Sequence, residues 1–416
     1  MAHSGKSCSP SQSRLGWLII SPWNKVRGFT CAPVTALLAT LALIALPAAS
    51  QALPREQFTP VIASVNSVPQ PVPATDGRQH IAYELEVTNV ASLAPGAPAT
   101  IESIKTMSKG RTIDTLTGDK LAARVQPFGG GDKSRVLAPG QSGYILMDIS
   151  LPLKAKLPKR LVHKFTVSLS PSSPVNVKTY RTAPTRVDTR KPPVIASPLR
   201  GSGWVAVNGC CSDFTSHRHA VLAVDGGLYA AERFAIDYIQ LRPNGEILDG
   251  PFTELSSYPF FGDAIHSVAP GRVVGVQNGL PETPPGNDLP APEAWRAGGN
   301  FVVVKMDNGR FAFYAHLQPG TTTVKVGDRV RTGQVIGRLG SSGNSNFPHL
   351  HFHLMNGPGP LASSGVPYRI RKFRVEGKLE NLVDLFDGKK ADLSRRFTGR
   401  KRARLPLDLQ VLDFGR

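Results

Sequence analysis

"FAFYAHLQPGTTTVKVGDRVRTGQVIGRLGSSGNSNFPHLHFHL", Phe311 to Leu354, runs from an apolar strand through glycine-marked turns into a segment with a histidine at every second position. Its first and middle parts, "RFAFYAHL" (Arg310 to Leu317) and "GQVIGRLG" (Gly333 to Gly340), are short and bounded by turn residues, as strands are. In "PHLHFHL", Pro348 to Leu354, the same reading places His349, His351 and His353 on one face, because strand side chains alternate with period 2. The chain has only ten histidines, so three on one strand face point to metal or proton chemistry. His316 closes the "FYAHLQPG" strand just before its turn, where side chains can converge on a cleft.

The flanking sequence continues the pattern. "APGRVVGV" (Ala269 to Val276) and "NFVVVKM" (Asn300 to Met306) are further strands. In "RFAIDYIQL", Arg233 to Leu241, Asp237 lies among Ala235, Ile236 and Ile239. A carboxylate in such surroundings is costly unless paired or metal-bound. Candidate ligands are therefore Asp237 and the histidines at 217, 219, 266, 316, 349, 351 and 353. "NGLPETPPGNDLPAPEAWRAGG", Asn278 to Gly299, is too long and proline-rich for a strand and is expected as a surface excursion beside a site.

At 416 residues and 41% hydrophobic content the chain can bury large cores. Forty glycines and 36 prolines favour short strands and turns over helices, and no internal repeat is evident. The net charge of +19 favours a polyanionic partner: nucleic acid, anionic lipid or an acidic envelope polymer. Location narrows that choice. Residues 1–27 carry four basic residues and no acid, "APVTALLATLALIALPAA" (Ala32 to Ala49) is apolar throughout, and "SQA" offers small residues before Leu53. This is the layout of a secretory signal over residues 1–52, preferred to a membrane anchor. Export to the periplasm, the envelope or the medium argues against nucleic acid, and no later segment could span a membrane. Removal of the signal would leave only the adjacent Cys210 and Cys211, expected as two buried thiols or a strained disulfide.

Residues 53–181 show alternating runs such as "IAYELEVTNV" (Ile81 to Val90), "GYILMDISL" (Gly143 to Leu151) and "HKFTVSLS" (His163 to Ser170). Short strands at this spacing predict an immunoglobulin-like β-sandwich, an accessory module in which His80 and His163 are structural. Residues 182–200 are rich in proline and arginine and are expected as a linker. A β-domain follows over 201–360. The stretch 361–416 is a basic extension whose "GKKADLSRRFTGRKRARLP" (Gly388 to Pro406) is either solvated or docks on an anionic polymer. The whole is expected to be all-β.

From Ala269 to Leu354 the chain resembles the lysostaphin/LytM-type zinc metallopeptidases, which cleave murein peptides. The carriers, in order, are A-x-G-x-V at Ala269, Y-x-H-L at Tyr314, V-x-x-G-x-x-V-x-x-G-x-x-I-G at Val324, G-x-x-G at Gly340 and H-L-H-F at His349. The resemblance implies a LytM-type β-sheet peptidase domain holding zinc on a histidine, Asp237 and His351, with His316 and His349 as the catalytic pair. A catalytic zinc keeps a fourth position open for water. The resemblance further implies a zinc-dependent endopeptidase acting on peptidoglycan peptides. A relative that has lost its catalysis and activates other wall hydrolases, and a secreted protease acting on proteins, are the alternatives. One departure stands out. The family sets its first ligand four positions before the aspartate, as H-x-x-x-D, and Arg233 fills that position here. "AVLAVDGGLYAAERF" looks like an inserted hairpin that leaves His217 and His219 as candidates. His217 is preferred because it directly follows the turn-like "CSDFTS". His353 is expected to support a ligand from behind, and Asn344 to contact substrate.

Overall fold

The computed structural model describes residues 56–90, 96–169, 177–212, 215–286 and 293–416. The signal-like segment 1–52 lies outside the described residues. Strands dominate, and the α-helical segments are of four or five residues, as a chain rich in β-branched residues and glycine turns should give. No helix among the described residues is long and apolar enough to cross a membrane.

Residues 57–416 pack as one compact unit. Its N-terminal part is two five-stranded sheets. One runs Val61–Val65, Arg78–Asn89, Ser142–Pro152, Val125–Pro127; the other runs Val177–Arg186, Arg160–Leu169, Ala99–Ser108, Arg111–Thr117. Their inner faces share one core, with Ile81, Tyr83 and Leu85 from the first sheet against Ile101, Phe165 and Val167 from the second. Alternation accounts for this face. It does not account for the opposite face of Arg78–Asn89, where Ala82 and Glu84 are also buried. That face is covered by the following region, so it is not a solvated outer face.

The larger sheet has thirteen strands. Its central order is Arg369–Leu379, Gln410–Asp413, Trp204–Val207, Ile236–Gln240, Leu350–Met355, Phe311–Leu317, Asn300–Met306, Gly271–Gln277. The tail thus supplies sheet strands, and part of its basic run, Gly399–Arg404, pairs with Arg369–Leu379. The segment expected as a linker contains the end of Val177–Arg186 and a short parallel strand, Val194–Ile195, on the sheet edge. Cys210 and Cys211 are joined by a disulfide. In the excursion Asn278 to Gly299, Glu282 forms a bridge with Ser342, and Ala294–Arg296 makes a single 3-10 turn.

Candidate metal centre

Three adjacent strands place the site. Asp237 lies directly opposite His351 in one antiparallel pair, and Ala315 lies opposite His351 in the next. Cross-strand partners share a face, so Asp237 and the alternating histidines of Leu350–Met355 meet. The Trp204–Val207 strand brings Val207 opposite Asp237 and ends at Asn208, which has φ +59°. Asn208 then serves twice: its side chain donates to Asp237 Oδ2 at 2.8 Å, and its carbonyl accepts from His217 Nδ1 at 3.1 Å. The sequence reading missed Asn208. Its signal was an Asn-Gly pair directly after an apolar strand, a turn dipeptide.

His217, Asp237 and His351 each offer an atom within 4.8 Å of the others, and all three are buried. His217 Nε2 is 3.2 Å from Asp237 Oδ2, and His351 Nδ1 is 2.9 Å from Asp237 Oδ1. The one-turn helix Ser216–His219 separates the two rival histidines. His219 faces the sandwich, where the Tyr144 hydroxyl lies 3.3 Å from its Nδ1 and bonds its carbonyl. Arg233 is not near a metal position and pairs with Glu84. His266 bonds the Gly333 carbonyl, away from the site.

Hydrogen bonds to carbonyls set the tautomers, since a carbonyl only accepts. His316 Nδ1 donates to Ser342 O at 2.8 Å and His349 Nδ1 donates to Phe347 O at 2.9 Å. The Nε2 atoms of His217, His316 and His349 therefore carry lone pairs when these rings are neutral. His349 Nε2 lies 3.5 Å from Asp237 Oδ1, and the His316 and His349 rings are 4.5 Å apart. His351 is the exception, because its Nδ1 faces Asp237 while its Nε2 meets His353 Nδ1 at 2.9 Å. His353 Nε2 is buried without a hydrogen-bond partner. His316 has φ +62°, an uncommon region for a residue with a side chain, and its backbone N–H donates to Gly298 O at 3.0 Å.

Charge follows from this packing. Burial pushes Asp237 upward, but the charge of His217 and the hydrogen bonds from His217 and His351 outweigh it and hold the carboxyl well below its usual range. Burial pulls His217 downward, yet Asp237 lifts it to about 9. His316 is pulled well below the ordinary imidazole value by burial, then by His349 and His351. Burial lowers His349 as well, against the opposing charge of Asp237. Burial thus favours the neutral form of both catalytic candidates.

The donor set fits zinc. Two imidazole nitrogens and one carboxylate oxygen suit it, and the three atoms converge in a buried place. The site opens into a cleft of about 700 Å³ lined by Trp295, Phe301, Phe313, Asn344, Phe347 and Leu361.

Residues 259–362 match peptidase family M23. That stretch holds His316, His349 and His351 and begins after Asp237, so the placement of His217 and Asp237 rests on the geometry alone. Glycyl-glycine endopeptidase ALE-1 of Staphylococcus capitis is 49% identical over 59 residues, 14% of this chain and 16% of that protein. Peptidoglycan DD-endopeptidase ShyC of Vibrio cholerae serotype O1 is 45% identical over 60 residues, 14% of this chain and 13% of that protein. The chain therefore spans less than a fifth of the length of either relative. The catalytic domain of the antimicrobial peptidase lysostaphin from Staphylococcus simulans is 24% identical, covering 35% of this chain and 80% of that one, with a TM-score of 0.21, too low to carry an argument. Residues 259–362 thus carry the peptidase family M23 match, in line with the resemblance to the lysostaphin/LytM-type peptidases.

Proposed function

We propose that the protein is an exported, zinc-dependent endopeptidase that hydrolyses peptide bonds in peptidoglycan stem peptides or cross-links. The convergence of His217, Asp237 and His351 beneath the lone pairs of His316 and His349 carries this reading. Zinc bound there supplies Lewis acidity, which polarises the scissile carbonyl and lowers the pKa of a water toward neutrality.

His217, Asp237 and His351 would hold the cation. Asn208 orients the first two, and with the cation bound His353 would accept from the Nε2–H of His351, leaving Nδ1 free to ligate. The neutral Nε2 of His349 or His316 accepts the proton of the attacking water and returns it to the leaving nitrogen. In between, the protonated ring donates to the oxygen that gains charge. No side chain forms a covalent bond to the substrate. Trp295 of the excursion lines the cleft.

The substrate follows from the names of the matched relatives, and the charge of +19 suits an anionic envelope polymer. Export rests on the basic, apolar and small-residue order of residues 1–52. The test is digestion of purified peptidoglycan with mass spectrometry of the fragments. We expect new amino termini within the peptides, loss of cleavage with a chelator and recovery with zinc. Cleavage that survives metal removal would sink the mechanism, and an intact peptide moiety would sink the substrate.

A further inference from the structure

Glu84 belongs to the β-sandwich, yet its carboxylate is fully buried and faces two arginines of the metal-bearing region. Arg218 Nη1 donates to Glu84 Oε1 at 3.0 Å, and its Nη2 donates to the Met147 carbonyl of the neighbouring sandwich strand at 3.2 Å. Arg233 Nε spans both carboxylate oxygens at 3.0 and 2.9 Å, while its Nη2 reaches Glu84 and, at 2.7 Å, Ser67 Oγ. Arg218 is 1% exposed and Arg233 5%.

The two arginines mark the ends of one segment. Arg218 directly follows His217, and Arg233 stands four residues before Asp237, where the family pattern has its first ligand. Between them lies the hairpin Val221–Val224 and Gly227–Ala230, with Val221 paired to Ala230. One carboxylate therefore grips both the exit of the His217 turn and the entry of the Asp237 strand. Placing three charges in a core gives little net stability, because desolvation offsets their attraction. What the bidentate and shared hydrogen bonds supply is geometry. His217 comes from a turn distant in sequence from Asp237, so its position needs an external reference.

We propose that Glu84 is a positioning residue of the metal centre and that the β-sandwich is an integral support of the site, holding His217 and Asp237 in register through Arg218 and Arg233. This rests on the metal reading above. The test uses the full chain and zinc alone, with affinity read by competition against a chelating dye and with thermal melting in parallel. Glu84→Gln should weaken zinc binding about 10- to 100-fold, the usual effect of losing an outer partner. Because it strands two buried guanidinium groups, Glu84→Leu combined with Arg218→Met and Arg233→Met provides a second reading. That variant should regain melting temperature while its zinc affinity stays weakened. Leu137→Ala, in the sandwich core, should lower the melting temperature and leave zinc affinity unchanged.

A triple variant that binds zinc like the wild type would overturn the proposal, as would equal weakening by Leu137→Ala. If the wild-type chain itself binds no zinc, the metal reading fails instead, and the two failures are told apart by that first titration.

Discussion

Among the described residues the protein buries two clusters of histidine and carboxylate, and their stoichiometry is opposite. In the sandwich, His80 sits between two carboxylates, with Nδ1 2.9 Å from Asp148 and Nε2 3.1 Å from Asp76. In the larger sheet, Asp237 has ion-pair contacts with His217, His349 and His351. Burial pulls His80 downward, but its two acids outweigh this and raise it to about 10. It is a fixed cation with both nitrogens used. Burial instead keeps His316 and His349 neutral, with lone pairs aimed at one place. Cys211 also lies with His80 and Asp148 in a ligand-like group, but its sulfur is taken by Cys210. An excess of acid over imidazole makes an ion triad, and an excess of imidazole over acid makes a candidate cation site.

The largest expected effect tests that contrast directly. His351→Ala and His217→Ala should each abolish zinc binding and hydrolysis, while His80→Gln and His219→Ala should keep one zinc per chain by elemental analysis. Loss of metal in the His80 variant would erase the distinction, and retention in the His217 variant would remove it from the ligand set. Next, His349→Ala should keep zinc but lose about 10²- to 10⁴-fold in hydrolysis rate, the range for a proton-transfer group. Equal metal loss there would make His349 a ligand.

A smaller effect is expected behind His316. Gly299 has φ +58°, and a Cβ there would overlap the Ser342 carbonyl that orients His316. Gly299→Ala should cost roughly 2–4 kcal/mol in stability, from the left-handed backbone and overpacking together. Turnover should fall while zinc content holds. Unchanged turnover would show that His316 does not need that carbonyl.

The smallest effect is one of pH. The folded value for His80 lies above the ordinary 6.5, so its contribution is fully present below pH 6.5 and is lost as pH rises through about 10. The melting temperature should decline over that window, by about 2–4 °C per kcal/mol lost for a mid-sized domain. His80→Gln should flatten the decline. An unchanged slope in that variant would place the pH dependence elsewhere.

Much of the site was legible in the chain. His349, His351 and His353 announced a common face by strict alternation after Pro348, and Asp237 stood out as an acid among apolar neighbours. The choice between His217 and His219 was not legible. Two residues apart on a helical turn, they point about 200° apart around the axis, so one meets Asp237 and the other meets Tyr144. Glu84 alternates with the core residues Tyr83 and Leu85, so in its own sheet it faces outward. Its burial comes from a partner surface more than a hundred residues away.

By itself the sequence determined the all-β class, the face shared by the three alternating histidines and the donor types of the site, because periodicity and side-chain chemistry are local. Tertiary structure alone decided which histidine joins Asp237, that the tail completes the large sheet and that Glu84 reaches the segment between His217 and Asp237. Each of these depends on contacts between residues far apart in the chain, whose pairing is selected by packing and burial.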